Sequence, residues 1–96
     1  MWILQTGESA EDALTFRLSS GAIKTIGRAP RADFMVDRAL VSRLHCRVTA
    51  GSDAVEVVDL ASTNGTFVND ERVARATLAI GDRLRVGRVE FTVARA

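Results

Sequence analysis

With 96 residues, 47% of them apolar and 26% charged, the chain has the composition of a globular domain with a single hydrophobic core rather than of a disordered segment. A net charge of +1 provides no global field toward nucleic acid or an acidic membrane, so any anion site must be local. No apolar run approaches the roughly 18–20 residues that span a bilayer, and Met1-Trp2-Ile3-Leu4-Gln5 lacks the pattern of a signal peptide, so a cytoplasmic location is the default expectation.

In chain order, Ser9 to Leu14 has an N-cap-like start but is too short for more than a turn. Leu14, Phe16 and Leu18 then alternate with Thr15 and Arg17, the two-residue period of a half-buried strand. Ser19-Ser20-Gly21 is a turn signal, and a further strand is expected over Ile23 to Ile26. Cys46, Val48 and Ala50 alternate with Arg47 and Thr49, whereas Val55, Val57, Val58 and Leu60 form the more continuous apolar run of an interior strand. Leu84 and Val86 flank Arg85, and Val89, Phe91 and Val93 alternate with Glu90 and Thr92. Turns are expected at Gly51-Ser52-Asp53, Asn64-Gly65, Asn69-Asp70 and Gly81-Asp82, with a tight hairpin at Val86-Gly87-Arg88-Val89. Trp2 and Met35 read as core or rim residues. Short strands at this spacing, with no helix among them, predict an all-β sandwich or barrel that fills residues 1–96 as one domain.

Three polar, irregular segments interrupt the strands: Arg28 to Asp33, Asp37 to Arg43, and Ser62 to Thr66. Loops on a rigid scaffold are where function concentrates. Neither GxGxxG nor GxxxxGK[ST] occurs, so nothing supports a nucleotide cofactor. Cys46, the only cysteine, can form no internal disulfide and reads as a small buried apolar residue. It adjoins His45 without the further ligands that a zinc site requires, so no metal is expected. Ser42, His45 and Asp59 supply the residue types of a hydrolytic triad, but there is no nucleophile elbow and little room for a substrate pocket.

Lys24 is the only lysine, and arginine, with its planar fork of donors, carries nearly all the positive charge. Arg28 follows Gly27 at a strand end, Ser42-Arg43 precede another strand, and Asn64 sits in a Thr-Asn-Gly turn. Two guanidinium groups, a hydroxyl and an amide on converging loops would suit a dianionic phosphate together with its peptide.

These segments, in order, resemble the forkhead-associated (FHA) domain. The resemblance is carried by Gly27-Arg28, by Ser42-Arg43-Leu44-His45, by Asp59-Leu60-Ala61-Ser62-Thr63-Asn64-Gly65-Thr66, by Val68-Asn69, and by Leu78 with Gly81-Asp82-Arg83-Leu84. Asp33 to Asp37 also looks like a short strand of that family, and the match covers essentially the whole chain. The resemblance implies an eleven-stranded antiparallel β-sandwich with its binding loops at one end. It implies that Arg28 pairs with the phosphate, that Ser42 donates its hydroxyl to it, and that Arg43 faces the phosphate or the adjacent peptide. It implies that Thr63 borders the phosphothreonine pocket and that Asn64 bonds the peptide backbone. Gly27, His45 and Gly65 would support the site, with His45 tying together the loops that position Ser42 and Asn64. The expected partner is a phosphothreonine-containing protein, a substrate of a Ser/Thr protein kinase. No cofactor, nucleic acid, membrane or catalysis is expected. The other readings are a phosphorylation-independent interaction or oligomerisation domain on the same fold, and a small hydrolase. Asp82 and Asp59 read as turn or strand-end carboxylates, and Arg31 as a solvated side chain.

Overall fold

The computed structural model of the chain describes residues 1–7 and 13–96. The expected turn from Ser9 falls mainly outside them; Leu14, at its end, is hydrogen-bonded through its N–H to the Thr6 hydroxyl.

Among the described residues, eleven strands build two facing sheets. They are β1 (Trp2–Gln5), β2 (Thr15–Leu18), β3 (Ile23–Gly27), β4 (Phe34–Met35), β5 (Cys46–Ala50), β6 (Val55–Asp59), β7 (Thr66–Val68), β8 (Glu71–Val73), β9 (Arg75–Leu78), β10 (Arg83–Val86) and β11 (Val89–Arg95). One sheet runs β2-β1-β11-β10-β7-β8, the other β4-β3-β5-β6-β9. The pairs are antiparallel except β3 with β4, which is parallel, with Ile26 opposite Phe34. That exception makes residues 28–33 double back at the strand end instead of forming a hairpin, and Arg28 begins this loop.

The alternation read from the sequence sets the faces. Cys46, Val48 and Ala50 are buried, as are Leu84 and Val86, and Phe91 and Val93, while the residues between them are more exposed. Fully burying such a side chain is worth about 1.5–3 kcal/mol. Trp2 is in the core, its indole N–H donating to the Gly51 carbonyl at 2.8 Å. Met35 is not: β4 is a two-residue edge strand whose parity turns Phe34 inward, leaving Met35 48% exposed. Phe34 stacks on Phe16 at 4.4 Å and closes the sandwich edge between β4 and β2. At the other edge the chain steps from β8 to β9 through Ala74 alone. Alternation did not single out β8 and β9, which are short edge strands with little to bury.

Two hairpins follow their turn chemistry. Gly87, with φ of 58°, begins the two-residue turn between Val86 and Val89. Asn69 and Asp70, with φ of 50° and 68°, form the turn from β7 to β8. Asn64-Gly65, by contrast, is no hairpin: it lies in the segment that carries the chain from β6 in one sheet to β7 in the other.

Candidate functional site

The topology collects one set of loops. β3, β6 and β10 end, and β5, β7 and β11 begin, at the same end of the sandwich. There, Arg28, Ala39 to Leu44, Ala61, Thr63 and Asn64 line an open cleft of about 730 Å³. The sequence candidates Arg28, Ser42, Arg43, Thr63 and Asn64 are therefore together; Arg31 is outside the lining.

Gly27 explains how the loops come so close. A Cβ there would lie 2.1 Å from the Arg43 carbonyl oxygen and 2.9 Å from the Leu44 Cα, so only glycine admits this backbone. Beyond it the two loops are zipped together: the Arg28 N–H donates to the Ser42 carbonyl at 2.9 Å and the Ala29 N–H to that of Arg43 at 3.1 Å. Asp33 anchors the far end of the loop by accepting from the Thr25 N–H and hydroxyl, at 2.9 and 3.1 Å. These bonds, the backbone one foremost, hold its carboxyl below the usual aspartate pKa.

His45 is fully buried and bridges two loops. Its Nδ1 accepts from the Ser42 N–H at 3.0 Å, so the proton resides on Nε2, which donates to the Gly65 carbonyl at 2.8 Å. Neither nitrogen engages the Ser42 hydroxyl. The Asp59 carboxylate is turned instead to the Ser62 hydroxyl, the Ser62 N–H and the Thr66 hydroxyl. Ser42, His45 and Asp59 thus form no proton relay. Burial pulls the Asp59 pKa upward, but those hydrogen bonds outweigh it and the net shift is downward. The Cys46 thiol, buried and beside the Asp59 charge, is pushed up to about 12. It is a core residue rather than a nucleophile.

The side chains at the cleft are each only partly committed. Arg28 Nε donates to the Val41 carbonyl at 3.1 Å, which fixes the guanidinium while its terminal amino groups have no hydrogen bond among the described residues. The Ser42 hydroxyl oxygen accepts from the Thr63 N–H at 3.0 Å and keeps its own proton to donate. Asn64 Nδ2 donates to the Leu40 carbonyl at 3.0 Å, leaving its carbonyl oxygen to accept. The result is one fixed cation, one hydroxyl donor and one amide acceptor around an open space.

Sequence reading missed Leu40, Val41 and Ala61. Leu40 and Ala61 have φ of 71° and 54°, left-handed conformations that cost a non-glycine residue on the order of 1 kcal/mol or more each. The carbonyls of Leu40 and Val41 hold Asn64 and Arg28. No residue type announces that task, because every residue has a carbonyl; only the location within Asp37 to Arg43 was signalled.

Comparison with known proteins agrees with this geometry. A profile of the FHA domain matches residues 24–87. The glycogen accumulation regulator GarA of Mycobacterium tuberculosis is 42% identical over 67 residues, which is 70% of this chain and 41% of GarA. The chain spans less than half the length of the first such relatives, 41% of GarA and 43% of the oxoglutarate dehydrogenase inhibitor of Corynebacterium jeikeium. A solved FHA domain described for its phosphothreonine-dependent interactions superposes with a TM-score of 0.87 at 34% identity, covering 99% of this chain and 96% of the other. EmbR of Mycobacterium tuberculosis, solved in complex with a low-affinity phosphopeptide, superposes with a TM-score of 0.80 at 31% identity, covering 96% of this chain and 24% of EmbR. Ordered motifs, an eleven-stranded sandwich with a loop cleft at one end, and these matches converge: the chain belongs to the FHA domain family.

Proposed function

We propose that this FHA domain, over residues 1–96, is a phosphothreonine-dependent protein-binding module that catalyses nothing and acts as a reversible adaptor in the cytoplasm. The observation that carries the reading is the Arg28 guanidinium, held by one nitrogen to the Val41 carbonyl, with no bond to its terminal donors among the described residues, in the cleft that Ser42 also lines. Arg28 and Ser42 grip the phosphate, Arg43 adds positive charge at the rim, Thr63 borders the threonine methyl, and Asn64 accepts from the peptide backbone. Gly27, His45 and Gly65 hold the loops in place. A phosphopeptide in EmbR and a phosphothreonine-dependent FHA neighbour support this assignment.

Phosphothreonine carries about −1.5 to −2 charges near neutral pH. Charge-assisted hydrogen bonds are worth about 1.5–3 kcal/mol each. Three or four of them, less the cost of ordering a peptide, give micromolar affinity, about −8 kcal/mol. The partner is a protein phosphorylated by a Ser/Thr kinase, so a kinase and a phosphatase would set its occupancy. A glutamate mimics the ligand poorly, because one planar carboxylate cannot satisfy donors arranged for a tetrahedral dianion.

The test is fluorescence anisotropy with matched peptides carrying phosphothreonine, phosphoserine or threonine, drawn from a degenerate library. Capture of the phosphothreonine set alone is expected. Equal binding of all three would transfer the function to a phosphorylation-independent surface.

A further inference from the structure

The outer face of the six-stranded sheet carries a feature that the cleft does not use. Thr66 and Val68 turn inward, so Phe67 between them points outward. Its cross-strand neighbours are Arg72 on β8 and Arg85 on β10. The Arg85 guanidinium lies 4.3 Å from the Phe67 ring centroid, within cation–π range. Arg85 is in register with Glu90 but stacks on the ring, and its Nε is buried without a hydrogen-bond partner among the described residues. An ion pair on this face joins Arg83 to Asp70, at the other end of β10. Two arginines thus flank an outward aromatic ring on one row.

This row is continuous with the cleft at two points. Arg72 lies over Gly65, its Nε 2.7 Å from where a Cβ would stand, and Gly65 follows Asn64. The Gly87-Arg88 hairpin that follows Arg85 packs on Ala39 to Val41, with the Ala39 carbonyl 3.1 Å from a Cβ placed on Gly87. From Asn64 to Phe67 is three residues, about 10 Å of extended chain. A peptide anchored at Asn64 would reach the row about four residues from its phosphothreonine.

We infer that the Arg72–Phe67–Arg85 row is a second docking strip, which takes an acidic segment of the same phosphorylated partner. The inference rests on the proposed phosphothreonine reading of the cleft and adds a requirement on the sequence flanking it. Carboxylates bind the guanidinium groups, and the Phe67 ring provides apolar contact for the aliphatic stems between them. The net charge of +1 conceals this strip, because its positive charge is local.

The experiment uses phosphothreonine peptides with four glutamates starting about four residues from the phosphothreonine, on either flank, against the same peptides with glutamines. Low salt is used, because surface pairs are screened within about a Debye length. On one flank the glutamate peptide should bind about fivefold tighter, the scale of two exposed ion pairs. R72Q/R85Q should abolish that ratio while leaving the glutamine peptide's affinity unchanged, and R72Q, which spares the ring cover, should reduce the ratio alone. Equal affinities on both flanks, or an undiminished ratio in R72Q/R85Q, overturn the strip. A complete absence of phosphopeptide binding would instead remove the cleft reading. The strip is then judged by the unphosphorylated glutamate peptide: shifts in the Arg72 and Arg85 Nε–H NMR signals support it, and unmoved signals overturn it.

Discussion

Two asparagines in two turns, Asn64 and Asn69, are treated oppositely by the fold. Asn69, at the end of the sandwich away from the cleft, has both ends of its amide in use. Its Oδ1 accepts from the Arg83 N–H at 2.9 Å, its Nδ2 donates to Asp82 at 3.2 Å, and its own N–H donates to the Arg83 carbonyl. Asp82 is similarly spent, accepting also from the Ala79 N–H at 2.8 Å. Asn64 makes a single bond, to the Leu40 carbonyl, and its acceptor faces no protein donor among the described residues. Arg28 follows the same pattern, with one nitrogen engaged and the others spare among the described residues. A polar side chain that a turn merely needs becomes saturated; Asn64 and Arg28, which we propose serve the ligand, are each oriented by one bond and left otherwise open among the described residues. The cost is borne nearby, in the left-handed Leu40 and Ala61.

His45 is where the two roles coincide, so its loss should break the comparison most. His45→Ala leaves the part-buried Ser42 N–H and the buried Gly65 carbonyl without their partner. A stability loss of about 3 kcal/mol and loss of phosphopeptide binding are expected together, from a filled site becoming a cavity and from unpaired polar groups. Urea unfolding and anisotropy on the same sample measure both, and an unchanged unfolding midpoint would remove its architectural role.

Arg28→Ala and Asn69→Ala sharpen the contrast as a pair. The first should weaken phosphopeptide binding at least tenfold with little change in Tm, since its removal costs charge-assisted bonds of about 1.5–3 kcal/mol each. The second should do the reverse, lowering stability by about 1–2 kcal/mol through loss of its two side-chain bonds while leaving affinity intact. If both variants lost binding and stability in equal measure, the division between saturated and open side chains would not hold.

The smallest effect concerns acid. Asp59 accepts three hydrogen bonds that fix the segment leading to Asn64, and its folded pKa lies below the ordinary value of 3.8. A carboxyl with a depressed folded pKa stabilises the fold fully at neutral pH. That contribution fades as pH falls below 3.8 toward the folded value. Thermal melts of the protein and of Asp59→Asn should therefore differ at pH 7 and converge as pH falls below the folded value. Parallel curves would show that the carboxylate's charge is immaterial.

Much of this was legible beforehand. Alternation at Cys46 to Ala50 and at Val89 to Val93 fixed which side chains face inward, because a strand has no other way to separate its faces. Gly87-Arg88 and Asn69-Asp70 marked their hairpins because few residues accept positive φ. The ordered motifs identified the family and, through it, the residues to be found at one end. Whether Met35 lay in the core or at the rim was not legible, because parity within a two-residue edge strand is set by the partner strand, not by the side chain itself.

The sequence by itself determined the strand faces, the main turns, the family and the identity of the polar residues around the cleft. These are local properties, dictated by side-chain period and backbone conformational preference. Only the tertiary structure decided the rest: why Gly27 must be glycine, which carbonyls aim Arg28 and Asn64, and that Phe67 lies between two arginines from other strands. Each depends on atoms far apart along the chain, and backbone carbonyls and cross-strand neighbours are contributed by position in the fold rather than by residue type.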